Sequence, residues 1–181
     1  MQLKPTTLKD CFIIEPRVFK DSRGFFFESF NKDKFKDLAG FYNEFIQDNL
    51  AFSTQGVVRG LHFQKGDAAQ AKLVSCIKGR IIDVAVDLRP DSPTFRQHFA
   101  VELTEENHWQ LYVPRGFAHG YSVLSETALV QYKVDNVYAP QAEGGIIFND
   151  PSLAIDWKVE SPVVSDKDLI LPTLDEYLQS I

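Results

Sequence analysis

Sulfur and indole side chains are scarce in this chain: 181 residues hold two Cys, one Met and two Trp. Cys11 and Cys76 stand far apart and form neither a disulfide framework nor a zinc spacing, so both are expected as buried free thiols. No apolar run approaches the length of a membrane span, and residues 1–10 carry no signal-type hydrophobic region. These absences predict a cytoplasmic protein without a membrane partner. Positive charge is also in deficit, with 19 Lys and Arg against 25 Asp and Glu, for a net charge of −6. No basic stripe offsets that balance, which argues against nucleic acid as a partner. An anionic small ligand is compatible with it only where Arg and Lys gather locally. Repeats, low-complexity runs and interdomain linkers are missing too. Residues 1–181 therefore read as a single domain, long enough to bury a sizeable core.

Phenylalanine, by contrast, is abundant. Fifteen Phe against a single Met imply a rigid aromatic interior. Residues 11–18 and 24–30 read as strands around the turn signal Asp21-Ser22-Arg23-Gly24. The run Phe25-Phe26-Phe27-Glu28-Ser29-Phe30 is too aromatic to face water and is expected in a core or an interface. Asn31 predicts the N-cap of a helix over 32–38, with Gly40 as its stop. From Phe45 onward strand follows strand, with candidates over 71–78, 80–89, 95–103, 109–113, 120–124 and 128–134. Within 80–89, Ile82, Val84, Val86 and Leu88 share one face, and Ile81, Asp83, Ala85 and Asp87 share the other. That is the period of a strand, not of a helix. The spacing predicts an all-β sandwich or barrel of jelly-roll type, with short helices over 166–169 and 173–178.

Chemistry concentrates in two apolar runs. Val57-Val58-Arg59-Gly60-Leu61-His62-Phe63-Gln64 sets a guanidinium and an imidazole within three residues, and Pro114-Arg115-Gly116-Phe117-Ala118-His119-Gly120 carries a second imidazole. Burying such groups is costly unless they are paired, so the first run looks built to meet a ligand. Taken singly, these residues have bland readings. A lone His in an apolar strand is usually a hydrogen-bonded core residue, Tyr132 fits a core or interface, and Lys72 fits a solvated strand edge. Taken together, a neutral His, an ammonium and a phenol are the minimum set for moving a proton at a carbon next to a ketone. The His removes the proton, Lys72 holds the developing oxyanion, and Tyr132 returns a proton from the opposite side.

Pro114-x-Gly116-x-x-His119 resembles the second motif of the cupin superfamily, whose fold is a small jelly-roll barrel. Metal-binding cupins carry His-x-His and a Glu in their first motif; the matching places here hold His62-x-Gln64 and Lys72. A charged Lys has no lone pair for a cation, so no metal ligand set is expected and a fixed ammonium replaces the ion.

The ordered set of motifs closely resembles the dTDP-4-dehydrorhamnose 3,5-epimerase family. It comprises Asp21-Ser22-Arg23-Gly24-Phe25-Phe26 with Glu28, Gln47-Asp48-Asn49, Val58 to Gln64, and Gln70-Ala71-Lys72-Leu73. It continues through Val113 to Gly120, Tyr132, Glu143-Gly144 and Ser165-Asp166-Lys167-Asp168. The resemblance implies a cupin-type jelly roll that epimerises C3 and C5 of dTDP-4-dehydro-6-deoxy-D-glucose, without cofactor or metal, in dTDP-L-rhamnose synthesis. It implies His62 as the base, Asp168 as its carboxylate partner, Lys72 at the C4 oxygen and Tyr132 as the acid. Arg59 and His119 would line the sugar and pyrophosphate site, and Tyr138 would stack on the thymine. Arg23, Glu28, Gln47, Asn49, Glu143 and Lys167 match further ligand-binding positions. Arg23 and Lys167 also supply local positive charge for a diphosphate. A homodimer with exchanged N-terminal strands is implied as well, and the Phe25 to Phe30 run suits such an interface. Three alternatives stay open at this point. They are a monofunctional 3- or 5-epimerase of a related dTDP-4-keto sugar, a metal-dependent cupin oxygenase or isomerase using His62 and His119, and a non-catalytic sugar-nucleotide-binding module.

Overall fold

Short strands with apolar residues on both faces need a second sheet against one face and further chain against the other. The computed structural model, which describes residues 1–180, meets both needs. The chain runs β1 (Gln2–Pro5), β2 (Phe12–Glu15), β3 (Phe19–Asp21), β4 (Gly24–Phe26), α1 (Lys32–Ala39), β5 (Gln47–Thr54) and β6 (Val58–Gln64). It continues β7 (Lys72–Lys78), β8 (Arg80–Asp87), β9 (His98–Thr104), β10 (Gln110–Val113), β11 (Phe117–Val123), β12 (Thr127–Val134) and β13 (Glu143–Gly145). Two short helices, α2 (Asp166–Leu169) and α3 (Leu174–Gln179), close it. A six-stranded sheet in the order β1-β2-β10-β7-β12-β5 faces a five-stranded sheet in the order β13-β6-β11-β8-β9, and β3 pairs only with β4.

The expected all-β jelly roll is the observed architecture. Between the sheets lie Ile13, Val74, Ile81, Leu103, Leu111 and Val130, with their buried neighbours. Strand β8 shows how the alternation works. Ile81 and Ala85 point between the sheets, while Ile82, Val84 and Val86 pack outward beneath Ile146, Trp157 and Leu174. The C-terminal third thus covers the outer face of the five-stranded sheet. On the other sheet, α1 lays Phe35 over Phe12, Leu73 and Tyr112. Its caps are the predicted ones: Asn31 accepts from the Lys34 N–H at 3.1 Å, and Gly40 takes the left-handed conformation at φ 75°.

Several boundaries differ from expectation, each for a local reason. The strand expected over 11–18 ends at Glu15, before Pro16, which cannot donate to a ladder. The one expected over 24–30 ends at Phe26. Phe27 turns to stack on Phe25 and His108, and Phe30 joins Phe35 and Phe45. The strand expected from residue 95 starts at His98, after a turn in which Arg96 has φ 66°. Cys11 and Cys76 are buried free thiols, as expected.

Phe35 has no exposed surface and touches the rings of Phe12, Phe30, Phe41, Tyr42, Phe45 and Tyr112. Replacing it with Ala removes the hub of this cluster and leaves a cavity. The substitution is expected to lower unfolding stability by about 3–5 kcal/mol, read from the urea midpoint at unchanged slope.

Candidate active site

At one end of the space between the sheets, polar side chains replace the apolar ones. Residues that share the inward face of β12 with Ala128 and Val130 include Tyr132, and those that share the inward face of β7 with Val74 and Cys76 include Lys72. Opposite them β6 contributes His62 and Gln64. Together with Gln47, Asn49, Gln70, Tyr138 and Glu143 they line one cavity of about 150 Å³.

Glycine brings the two histidine strands together. His62 of β6 lies in register with His119 of β11, and the pairing shifts just beyond this point. Gly60 has φ +118°, and a Cβ there would meet both Gly120 Cα and the His119 carbonyl oxygen at 2.7 Å. Only glycine permits so close an approach. The Arg59-Gly60 and His119-Gly120 pairs of the sequence therefore serve the geometry of the imidazoles between them.

His62 Nε2 lies 2.7 Å from Asp168 Oδ1. A carboxylate only accepts, so the nitrogen facing Asp168 carries a proton, which in the neutral ring leaves the other nitrogen with the lone pair a base needs. Asp168 sits on α2, capped by Ser165, and its second oxygen accepts from the Gly60 N–H at 3.4 Å. Burial pushes its carboxyl up. The hydrogen bond and charge of His62, with the Gly60 N–H, outweigh that and hold it below the usual carboxylate range. Asp168 is thus a buried anion aligned with an imidazole that is one-third exposed to the cavity.

Lys72 is buried and donates to the His62 carbonyl oxygen at 3.5 Å. Desolvation lowers its pKa to about 8, opposed by the negative charge of Asp83. Burial raises the Tyr132 phenol, against a smaller opposing effect of Arg59, so it holds its proton at neutral pH. Arg59 is exposed, with Nε donating to Ser53 Oγ at 3.0 Å. Lys167 Nζ pairs with Glu143 Oε2 at 2.7 Å at the cavity edge, and Tyr138 donates its hydroxyl to the same oxygen at 3.3 Å.

His119 Nε2 lies 2.8 Å from Asp83 Oδ1, deep between the sheets. Burial depresses the His119 pKa more than Asp83 raises it, so the ring is neutral. Asp83 was visible in the sequence only as a carboxylate sharing one face of the 80–89 strand with Ile81, Ala85 and Asp87, and that reading gave it no role. Its placement between Ile81 and Ala85 was the available signal, since a buried acid requires a partner. Of the expected site residues, Asp168, Arg59, His119 and Lys167 do not themselves line the cavity and are engaged with His62, Ser53, Asp83 and Glu143, and two more lie away from it within the chain. Arg23 turns to Asp21 on the β3–β4 hairpin, and Glu28 pairs with Lys34. Among the described residues no group of three or more His, Cys, Asp or Glu side chains is placed to hold a metal ion, and no helix is long and apolar enough to cross a membrane.

The model of the dTDP-4-dehydrorhamnose 3,5-epimerase family matches residues 5–176. The chain belongs to that family. A dTDP-4-dehydrorhamnose 3,5-epimerase of Salmonella typhimurium is 49% identical over 174 residues, which span 96% of this chain and 95% of that one. The crystal structure of the Elizabethkingia anophelis 3,5-epimerase superposes with a TM-score of 0.94 at 54% identity, covering 97% of each chain. A dTDP-6-deoxy-D-glucose-3,5-epimerase of Legionella pneumophila, solved with dTDP-4-keto-L-rhamnose, gives 0.93 at 44% identity over 96% of this chain and 93% of that one. The fold of the 3,5-epimerases is thus the fold described here, with the His62 cavity at one end of its two sheets.

Proposed function

We propose that this chain epimerises C3 and C5 of dTDP-4-dehydro-6-deoxy-D-glucose, giving dTDP-4-dehydro-L-rhamnose, with its own side chains and no cofactor. The observation that carries the reading is the His62–Asp168 pair at 2.7 Å on a cavity shared with Lys72 and Tyr132. The free nitrogen of His62 takes the proton from the carbon next to the C4 ketone. The electron pair moves onto the C4 oxygen as an enolate, which the Lys72 ammonium stabilises. Asp168 supports the imidazolium formed in that step. Tyr132 delivers a proton to the opposite face of the carbon, inverting it, and the phenolate and imidazolium are reset from solvent before the second carbon reacts. No redox equivalent is consumed.

The remaining residues hold the nucleotide. Tyr138, half exposed at the cavity mouth, stacks on the thymine; Gln47, Asn49 and Glu143 bind beside it; Arg59, His119 and Lys167 face the sugar and diphosphate. Arg23 and Glu28 enter the reading through a second copy. The β3–β4 hairpin pairs with no other strand of the described chain and leaves Phe25 and Phe26 59% and 66% exposed. An exchanged N-terminal arm in a homodimer covers that aromatic surface and carries Arg23 and Glu28 toward the partner's cavity. The free thiols fit the reducing cytoplasm, where this reading places the enzyme.

The test is isotopic. In heavy water, with substrate but no added metal or nicotinamide, the enzyme is expected to place deuterium at both C3 and C5. Deuterium at one carbon alone would make it a monofunctional epimerase, and none would leave it a binding module.

A further inference from the structure

Gln64 stands two residues beyond His62 on the same face of β6, yet its amide does not point a free group at the sugar. It is 7% exposed, and each of its polar atoms is engaged by backbone. Nε2 donates to the Ala68 carbonyl oxygen at 2.7 Å and to the Val137 carbonyl oxygen at 3.2 Å, while Oε1 accepts from the Ala139 N–H at 2.7 Å. Val137 and Ala139 are the two neighbours of Tyr138. One amide therefore grips the chain on both sides of the aromatic ring at the cavity mouth, and ties it to the loop that follows β6.

Parallel ties reinforce the grip. Gln70 Nε2 donates to the Asn136 carbonyl oxygen at 2.7 Å, and Asn136 Nδ2 donates to the Asp67 carbonyl oxygen at 2.9 Å. The Tyr138 N–H donates to Gln47 Oε1 at 3.3 Å. Tyr138 lies outside regular structure, between β12 and the short β13, so these side chains supply what a ladder would otherwise supply. We propose that Gln64 is a positioning residue that sets Tyr138 at the height a nucleobase requires, and so tunes nucleotide affinity without entering the proton transfers. The residue type follows from the chemistry. An amide donates twice and accepts once from a single planar group, whereas a carboxylate donates nothing and a His offers one proton when neutral.

The inference rests on the reading of Tyr138 as the nucleobase platform, and the experiment separates the two. Wild-type enzyme is first tested for dTDP binding by calorimetry and for deuterium entry at C3 and C5; failure there overturns the parent reading. Gln64→Met keeps the length of the side chain and removes all three bonds. Its KM and its Kd for dTDP are expected to rise about tenfold together, with kcat changed by less than about threefold. In a Tyr138→Ala background the same substitution is expected to add no further rise. Gln64→Glu supplies a pH signature that a loosened fold would not. While protonated, the introduced carboxyl donates to the Ala68 oxygen and accepts from Ala139. Once ionised, it confronts two carbonyl oxygens. The KM of this variant relative to wild type is therefore expected to climb between about pH 6 and about pH 8, while that of Gln64→Met stays level. An unchanged KM, a full additive effect without Tyr138, or a loss confined to kcat would each overturn the assignment. Should either variant fail to fold, as judged by thermal unfolding, the half-buried Gln70→Met carries the same expectation of a KM effect with kcat preserved.

Discussion

Replacing His62 with Ala is expected to abolish deuterium exchange at both C3 and C5, lowering kcat by about 10,000-fold, the upper end of what a positioned general base contributes. The upper end applies because one imidazole serves both carbons, so no second base takes over either step. The lining of the cavity supports this. It holds the His62 ring on one side and Tyr132 on the other, and the neutral His119 is committed to Asp83 at 2.8 Å. Asp168→Asn separates orientation from basicity. The amide preserves the shape of the contact but presents a donor or a neutral acceptor where an anion stood. His62 then loses the charge that stabilises its protonated form. A fall in kcat of roughly 100- to 1,000-fold is expected, with the dTDP dissociation constant unchanged, because Asp168 is turned away from the nucleotide. Exchange surviving at one carbon in His62→Ala would assign that carbon to a different base.

The alternation of β8 was readable because Ile82, Val84 and Val86 recur at period two, while the opposite face interleaves Asp83 and Asp87 with Ile81 and Ala85. Strand β13, which brings Glu143 to the cavity, was not readable. Glu143-Gly144-Gly145 has no apolar alternation, and it is a strand only because β6 offers it a partner. The polar β1 was missed for the same reason, being held to β2 by four register pairs rather than by its own pattern. Within the site, Lys72 and Tyr132 could be nominated as chemical types, but their convergence on His62 depends on two sheets facing each other. The His62–Asp168 contact joins residues 106 positions apart, a separation no local pattern encodes, and only the family resemblance suggested it. Asp83 went without a role because a carboxylate on a strand is ordinarily solvated, and its burial appears only once β11 carries His119 across from it. Gln64 looked like a degraded metal ligand; the folded chain shows an amide engaged by three backbone groups.

Lys72→Met is expected to lower kcat by about 1,000-fold, some 4 kcal/mol of transition-state stabilisation, while substrate still binds. Methionine nearly fills the volume of the lysine stem, so the loss isolates the charge rather than the packing. The charge itself sits on a narrow margin. Desolvation draws the Lys72 pKa down to about 8 and the Asp83 carboxylate opposes that fall. The ammonium is the competent form, present below that value and lost as pH rises through it. The kcat/KM of the wild-type enzyme, which reports the free enzyme, is therefore expected to decline above about pH 8. The same arm should be absent from the residual activity of Lys72→Met. A second consequence tests the coupling directly. Lys72 helps burial keep His119 neutral, while Asp83 pulls the other way. Without the ammonium, Asp83 is left as the nearest charge to His119, and the His119 pKa is expected to move upward in the NMR titration of the variant. A pH profile of wild type that stays flat to well above pH 8 would show that Lys72 does not carry the enolate charge as a titrating ammonium.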